Sequence, residues 1–271
     1  MKQFMDEDFL LSTETARKLY HEEIAMPTIY LSPSTQEANP YVTGAGSEEY
    51  FMNLLADAMV PYLDSNAIAY SRNTPDMTAL SSVRQANNGR YDLYLALHSN
   101  ATGNGEPRPT RGIIAFYYPG SPQGQRAAEI FAQNLKNIYP LPELVTTRAT
   151  TTLVEVSRSR APAVLLEIGY HDNYADAVWV EGHMEPIARQ IAWGVTEFFG
   201  LPFVSPMEPE EGRVSVSYGA LNLRSYPSSE GSILVRMPNG ARVTVYGQWQ
   251  GWYTVRYEGL LGYAAAAYID T

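Results

Sequence analysis

The chain has 271 residues, no Cys, four His, and 29 Asp+Glu against 19 Lys+Arg, with 45% hydrophobic and 18% charged residues. Without Cys there is no disulfide, thiolate metal site or cysteine nucleophile, and a net charge of −10 argues against a non-specific nucleic-acid binder, which needs a basic surface. No apolar run approaches the roughly 20 residues that span a membrane, so the composition is that of a globular protein with one large or two unequal domains.

Residues 1–26 read as a separate leader, helical in propensity over 13–23 but polar. Acids stand where an export signal would be basic, and the apolar stretch Phe9-Leu10-Leu11 is too short for a signal core; no export signal is expected there. Residues 27–203 alternate between two patterns. Nearly continuous apolar runs at 28–31, 67–70, 93–98, 113–118 and 163–168 predict strands buried on both faces. Helical periodicity over 48–63, 79–88, 123–138, 175–181 and 184–199 predicts the helices between them. In the first helix, Phe51, Leu54, Leu55, Ala58 and Tyr62 are the expected buried face. Such alternation implies an α/β domain with a parallel or mixed sheet and helices on both faces.

Residues 204–212, rich in Pro and acid, are expected to form a solvated linker. Segment 213–271 differs in character, with five Arg against three acids and nine Tyr or Trp. Short β-prone runs at 213–218, 242–246 and 252–257, separated by Gly, Pro, Asn and Ser, predict a small all-β barrel.

Three features of the α/β part converge. Gly46-Ser-Glu-Glu-Tyr-Phe-Met-Asn53 opens a helix, with Glu49 and Asn53 on one face. An apolar strand ends in His98-Ser-Asn100, and another places Glu167 near its end within Val-Leu-Leu-Glu-Ile. In open α/β sheets, sites gather at the carboxyl ends of strands. A carboxylate at a helix start and two titratable residues at strand ends form the plan of a metal site with a general base. Taken singly, His98 reads as an ordinary hydrogen-bonded residue and Glu49 as a helix-dipole partner; Glu167 is costly to bury without a partner or a task.

Residues 27–201 resemble the zinc-dependent N-acetylmuramoyl-L-alanine amidases, on Glu49-x-x-x-Asn53, Ser71-Arg-Asn-Thr, Val83-Arg-Gln-Ala-Asn, His98-Ser-Asn-Ala, Gly112-Ile-Ile-Ala-Phe-Tyr-Tyr and Ala161-Pro-Ala-Val-Leu-Leu-Glu-Ile-Gly-Tyr. The resemblance implies Glu49 and His98 as zinc ligands. Glu167 would be the general base for the metal-bound water that cleaves the amide between N-acetylmuramic acid and L-alanine. Asn53, Asn100 and His171 are candidate substrate contacts. The sequence departs from the family in one place. The family's first strand ends in Asp-Pro-Gly-His-Gly, whose His completes the zinc triad; here Ser32-Pro-Ser-Thr-Gln-Glu37 follows. Gln36 is the candidate replacement ligand, with Glu37 and His171 as further possibilities. A non-catalytic wall-binding protein with a degenerate metal site is the alternative reading.

Residues 213–270 resemble a bacterial SH3-type domain, on Ala220-Leu-Asn-Leu-Arg-Ser-Tyr-Pro-Ser-Ser-Glu-Gly, Met237-Pro-Asn-Gly-Ala-Arg-Val-Thr-Val-Tyr-Gly and Gly251-Trp-Tyr-Thr-Val-Arg-Tyr. This implies attachment to the cell wall, with Tyr226, Trp249 and Tyr257 as candidate stacking residues. Peptidoglycan is then the expected partner, for a monomer acting outside the cell or after release by lysis. Residues 1–24 resemble the N-terminus of uronate isomerases, but residues 26–33 lack that family's His-x-His pair, so no isomerase function is expected.

Overall fold

The computed structural model describes residues 26–103 and 109–271. The expected helical leader therefore lies, apart from Met26, outside the described residues. The strands of the first domain are β1 (Thr28–Pro33), β2 (Ala69–Arg72), β3 (Leu93–Asn100), β4 (Ile113–Tyr117), β5 (Val145–Ala149) and β6 (Ala163–Tyr170). Its helices are α1 (Glu48–Ser65), α2 (Ala79–Asn88), α3 (Pro122–Lys136), a single turn α4 (Val154–Ser157), α5 (Tyr174–Gly182) and α6 (Met184–Phe199).

The sheet runs β2-β1-β3-β6-β4-β5. Strands β2, β1, β3 and β6 are mutually parallel, β4 is antiparallel to β6, and β5 is parallel to β4. This is the mixed sheet expected. Alternate residues of the central strands face two different cores. Ile29, Leu31, Leu95, Leu97 and Leu166 pack with residues of α1, α3, α5 and α6. Tyr30, Tyr94, Ala96 and Leu165 face the smaller core with Val83 of α2 and Val156 of α4. Both faces are covered, which is why these strands read as unbroken apolar runs.

Two elements were not anticipated. Edge strand β5 (Val-Thr-Thr-Arg-Ala) is exposed after its first residue and carries no apolar run. Helix α4 is too short to show periodicity. The expected buried stripe of α1 is also displaced. Leu54 is 38% exposed and Ala58 half-buried, whereas Met52, Ala56 and Met59 are fully enclosed beside Phe51 and Leu55.

The second domain is an antiparallel sheet of seven strands, β7 (Glu210–Val214), β8 (Ala220–Arg224), β9 (Ile233–Pro238), β10 (Arg242–Trp249), β11 (Trp252–Tyr257), β12 (Leu260–Ala265) and β13 (Ile269–Asp270). The stretch before it is exposed at Ser205 and over 208–211, but it is anchored to both domains on the way. Val204 is 1% exposed, and its backbone N–H and carbonyl are held by the Asn66 carboxamide at 2.7 and 2.9 Å. The Met207 N–H donates to the Tyr246 carbonyl, and β7 begins at Glu210. At the C-terminal end of α1, the Thr254 hydroxyl donates to the Ser65 carbonyl and the Tyr263 hydroxyl to the Asn66 carbonyl. Arg256 pairs with Asp64 at 2.8 Å. The β module is thus docked on the helix whose other end opens the site.

Candidate active site

The site forms where three elements end together. In the β3–β6 pairing, His98 lies directly beside Glu167. The register then slips by one residue before Asn100 and Tyr170, and Gly169 takes φ +74, where Asp176 and Val180 lie within 3.3 Å of any added Cβ. This bulge re-aims the strand ends next to the cleft. Helix α1 starts with Ser47, whose side chain caps the Tyr50 N–H, so Glu48 is the first helical residue and points into the domain.

His98, 8% exposed, is held at both ring nitrogens. Nδ1 is 2.9 Å from Glu48 Oε1, and Nε2 is 2.8 Å from Glu155 Oε2. Both carboxylates are almost completely buried. Glu155 also accepts hydrogen bonds from the Ser32 and Tyr94 hydroxyls at 2.7 and 2.8 Å. Glu48 also accepts from the Gln36 and Asn39 amides at 3.3 and 2.8 Å and from the Ser99 N–H at 3.4 Å. Burial alone would lower the His98 pKa, but the two flanking carboxylates raise it well above the ordinary value. For Glu48 and Glu155, burial opposes ionisation and the bonds to His98 outweigh it, leaving both below the usual carboxylate value. The two carboxylates favour the protonated form of the ring between them.

Glu167 behaves differently. Its Oε2 is enclosed and has no hydrogen-bond partner among the described residues. Burial pushes its pKa up to about 7; His98 pulls it down, while Glu48 and Glu155 push it up further. Glu167, His98 and Glu155 line a cleft of about 620 Å³, walled by Ser34–Gln36 on one side and Met77–Ala79 and Thr152–Val154 on the others.

The structure places His98, Glu167 and Gln36 around one cleft, with Glu48 and not Glu49 beside His98. Glu48 meets His98; Glu49, half-buried, gives its backbone carbonyl to the Asn53 amide. The reason is helical phase. Counting from Glu48, the buried residues of α1 fall at +3, +4, +7, +8 and +11, so Glu48 lies on the core stripe and Glu49 lies one step of about 100° off it. The expected substrate contacts have structural partners instead. The Asn53 carboxamide bridges Ser34, Glu49 and Arg72. The Asn100 side chain accepts from the Ala101 N–H. His171 is buried against Ser99 and stacked on Tyr41. None of the three lines the cleft. Glu155 was missed; a carboxylate inside the apolar run Leu153-Val-Glu-Val156 was its one signal.

Residues 35–197 match the family described as N-acetylmuramoyl-L-alanine amidase, well over half of the chain. The chain belongs to that family. Its reaction class is peptidoglycan hydrolysis, and this amidase carries a second match, to a bacterial SH3 domain, over residues 219–270. No curated protein matches. Among solved structures, the N-acetylmuramoyl-L-alanine amidase from Clostridium difficile 630 is 17% identical, with a TM-score of 0.57 over 65% of this chain and 97% of that one. The catalytic domain of CwlV from Bacillus (Paenibacillus) polymyxa var. colistinus is 19% identical, with a TM-score of 0.56 over 65% and 99%. AmiC2 of Nostoc punctiforme is 16% identical, with a TM-score of 0.57 over 64% and 97%. These likenesses establish the fold. The resemblance of residues 1–24 to uronate isomerases is not borne out: both family matches lie elsewhere in the chain.

The amidase family is generally zinc-dependent, and the donor set here does not fit a catalytic zinc. Such a site takes three protein ligands of His, Cys, Asp or Glu type plus water. Among the described residues no group of three or more such side chains could hold a metal. Glu48 and His98 are two, and the third position holds the Gln36 amide, its nitrogen 3.3 Å from both. No helix among the described residues is long and apolar enough to cross a membrane.

Proposed function

We propose that this amidase cleaves the amide between N-acetylmuramic acid and L-alanine in the 620 Å³ cleft, with Glu167 as the general base. The observation that carries the assignment is the enclosed, unpartnered Glu167 Oε2. A carboxyl with a pKa near 7 exchanges protons efficiently at neutral pH. It takes a proton from the attacking water, whose oxygen bonds to the lactyl carbonyl carbon. As the C–N bond breaks, the same proton passes to the departing L-alanine nitrogen. In the β module, Tyr226 at 38% exposure, Trp249 and Tyr257 are the proposed stacking positions on the wall. The enzyme acts outside the cell or after lysis.

Purified peptidoglycan digested with the full chain should release new N-terminal L-alanine, at a rate rising with pH through about 7 as Glu167 ionises. Glu167→Gln should lose on the order of 10²–10⁴-fold in rate while pelleting with the wall as before. An equally active Gln variant would overturn the assignment. The second reading, wall binding without cleavage, is favoured by the incomplete metal donor set alone; absence of any released alanine from the wild type would establish it.

A further inference from the structure

We propose that this chain has exchanged the family's zinc for a hydrogen-bonded cluster, in which Gln36, Asn39 and His98 occupy the Glu48 lone pairs that a metal would use. The inference rests on placing the reaction in this cleft. The Glu48 and His98 atoms that would coordinate there already have protein partners. Glu48 Oε1 receives His98 Nδ1, the Gln36 amide and the Ser99 N–H, while Oε2 receives the Asn39 amide. Both nitrogens of the His98 ring are taken up by carboxylate oxygens, Nδ1 by Glu48 at 2.9 Å and Nε2 by Glu155 at 2.8 Å.

Spacing gives a second, independent argument. Two ligands about 2.0–2.1 Å from one tetrahedral zinc stand about 3.3 Å apart. Glu48 Oε1 and His98 Nδ1 are closer, at 2.9 Å, a hydrogen-bond distance. The Gln36 amide is itself anchored. Its nitrogen also reaches the Ser34 hydroxyl at 3.4 Å, and its oxygen accepts from the Asn39 amide at 3.2 Å. Gln36 and Asn39 lie three residues apart on one turn and act as a pair, each giving an N–H to a different oxygen of Glu48. An amide supplies the donors that saturate a carboxylate; an imidazole in the same place would turn a lone pair toward a metal.

The test uses the full chain, dialysed against chelator and then titrated with Zn²⁺ alone, with elemental analysis and calorimetry as readouts. The wild type should hold less than about a tenth of an equivalent, and Gln36→His, which restores a third strong ligand, should take about one equivalent. Wild-type protein carrying one tightly held zinc, released by Glu48→Gln, would overturn the proposal. A Gln36→His chain that still binds none would overturn the assignment of Gln36 as the substituted ligand position. Wall digestion is scored separately. Loss of alanine release from the wild type counts against the proposed function and leaves the zinc result standing, whereas release that chelator abolishes counts against the exchange.

Discussion

At its N-terminus α1 delivers Glu48 into a cluster of four ionisable side chains; 18 residues and about 27 Å away, its C-terminus meets the β module through Ser65 and Asn66. Both ends bury polar groups, and they do so differently. At the docking end, Asn66 is fully enclosed and its carboxamide bonds to Tyr62, Ser65 and Val204. At the cleft end, two carboxylates flank one imidazole ring, and beside them Glu167 Oε2 has no partner among the described residues. A neutral, saturated network fixes geometry at little electrostatic cost. Charge concentrated around an unsatisfied group costs stability and is retained where a proton has to move.

The sharpest way to break that comparison is to remove the shared cation. His98→Ala leaves Glu48 and Glu155, 1% and 3% exposed, facing each other without a counter-charge. Urea denaturation at pH 7 should show a loss of about 3–5 kcal/mol. The loss should shrink as pH falls and the two carboxylates protonate. A loss below about 1 kcal/mol would mean that the cluster is not held by His98.

Asn66→Ala probes the docking end. It strips the Val204 N–H of its acceptor and the Tyr62 carbonyl of one donor inside a buried contact, so about 2–3 kcal/mol is expected. This loss should not vary with pH, because no ionisable group is involved. It should also separate the unfolding of the two domains in calorimetry, since Asn66 fastens the connecting segment to α1. A single unchanged transition would show that the β module is held by other contacts.

The same helix shows how far the chain could be read from residues alone. Four of the five apolar runs of the main sheet and all five longer helices were legible, because burial leaves a period in the sequence; the run at 67–70 was not a strand buried on both faces, since edge strand β2 has no buried residue. The phase of α1 was not legible. Leu54 and Met52 are both apolar, and the residues alone do not say which of them faces the core. Glu49 itself came from the Glu-x-x-x-Asn spacing, which does not weigh it against the adjacent Glu48 that meets His98. Glu155 was illegible for another reason: a four-residue helix has no period, and its carboxylate acts only through His98, Ser32 and Tyr94, which come from other strands. The docking of residues 204–212 was hidden because the contact depends on the distant Asn66 amide and not on the segment's own composition.

The smallest expected effect concerns the one ion pair of the docking end, Arg256–Asp64 at 2.8 Å. Arg256 is 39% exposed at its side chain, so solvent and salt screen it and Arg256→Ala should cost at most about 1 kcal/mol. Part of that loss is contact with the Tyr246 ring, 5.0 Å below the guanidinium. Burial raises the Asp64 pKa, and Arg256 lowers it less than burial raises it. A carboxyl with a raised folded-state pKa contributes stability that is present below its unfolded value and lost as pH rises. Asp64→Asn should therefore be neutral or slightly stabilising at pH 8 and slightly destabilising at pH 3, measured by thermal unfolding at both. If Asp64→Asn instead costs several kcal/mol at pH 8, the docking end depends on charge as the cleft end does, and the contrast between the two ends of α1 fails.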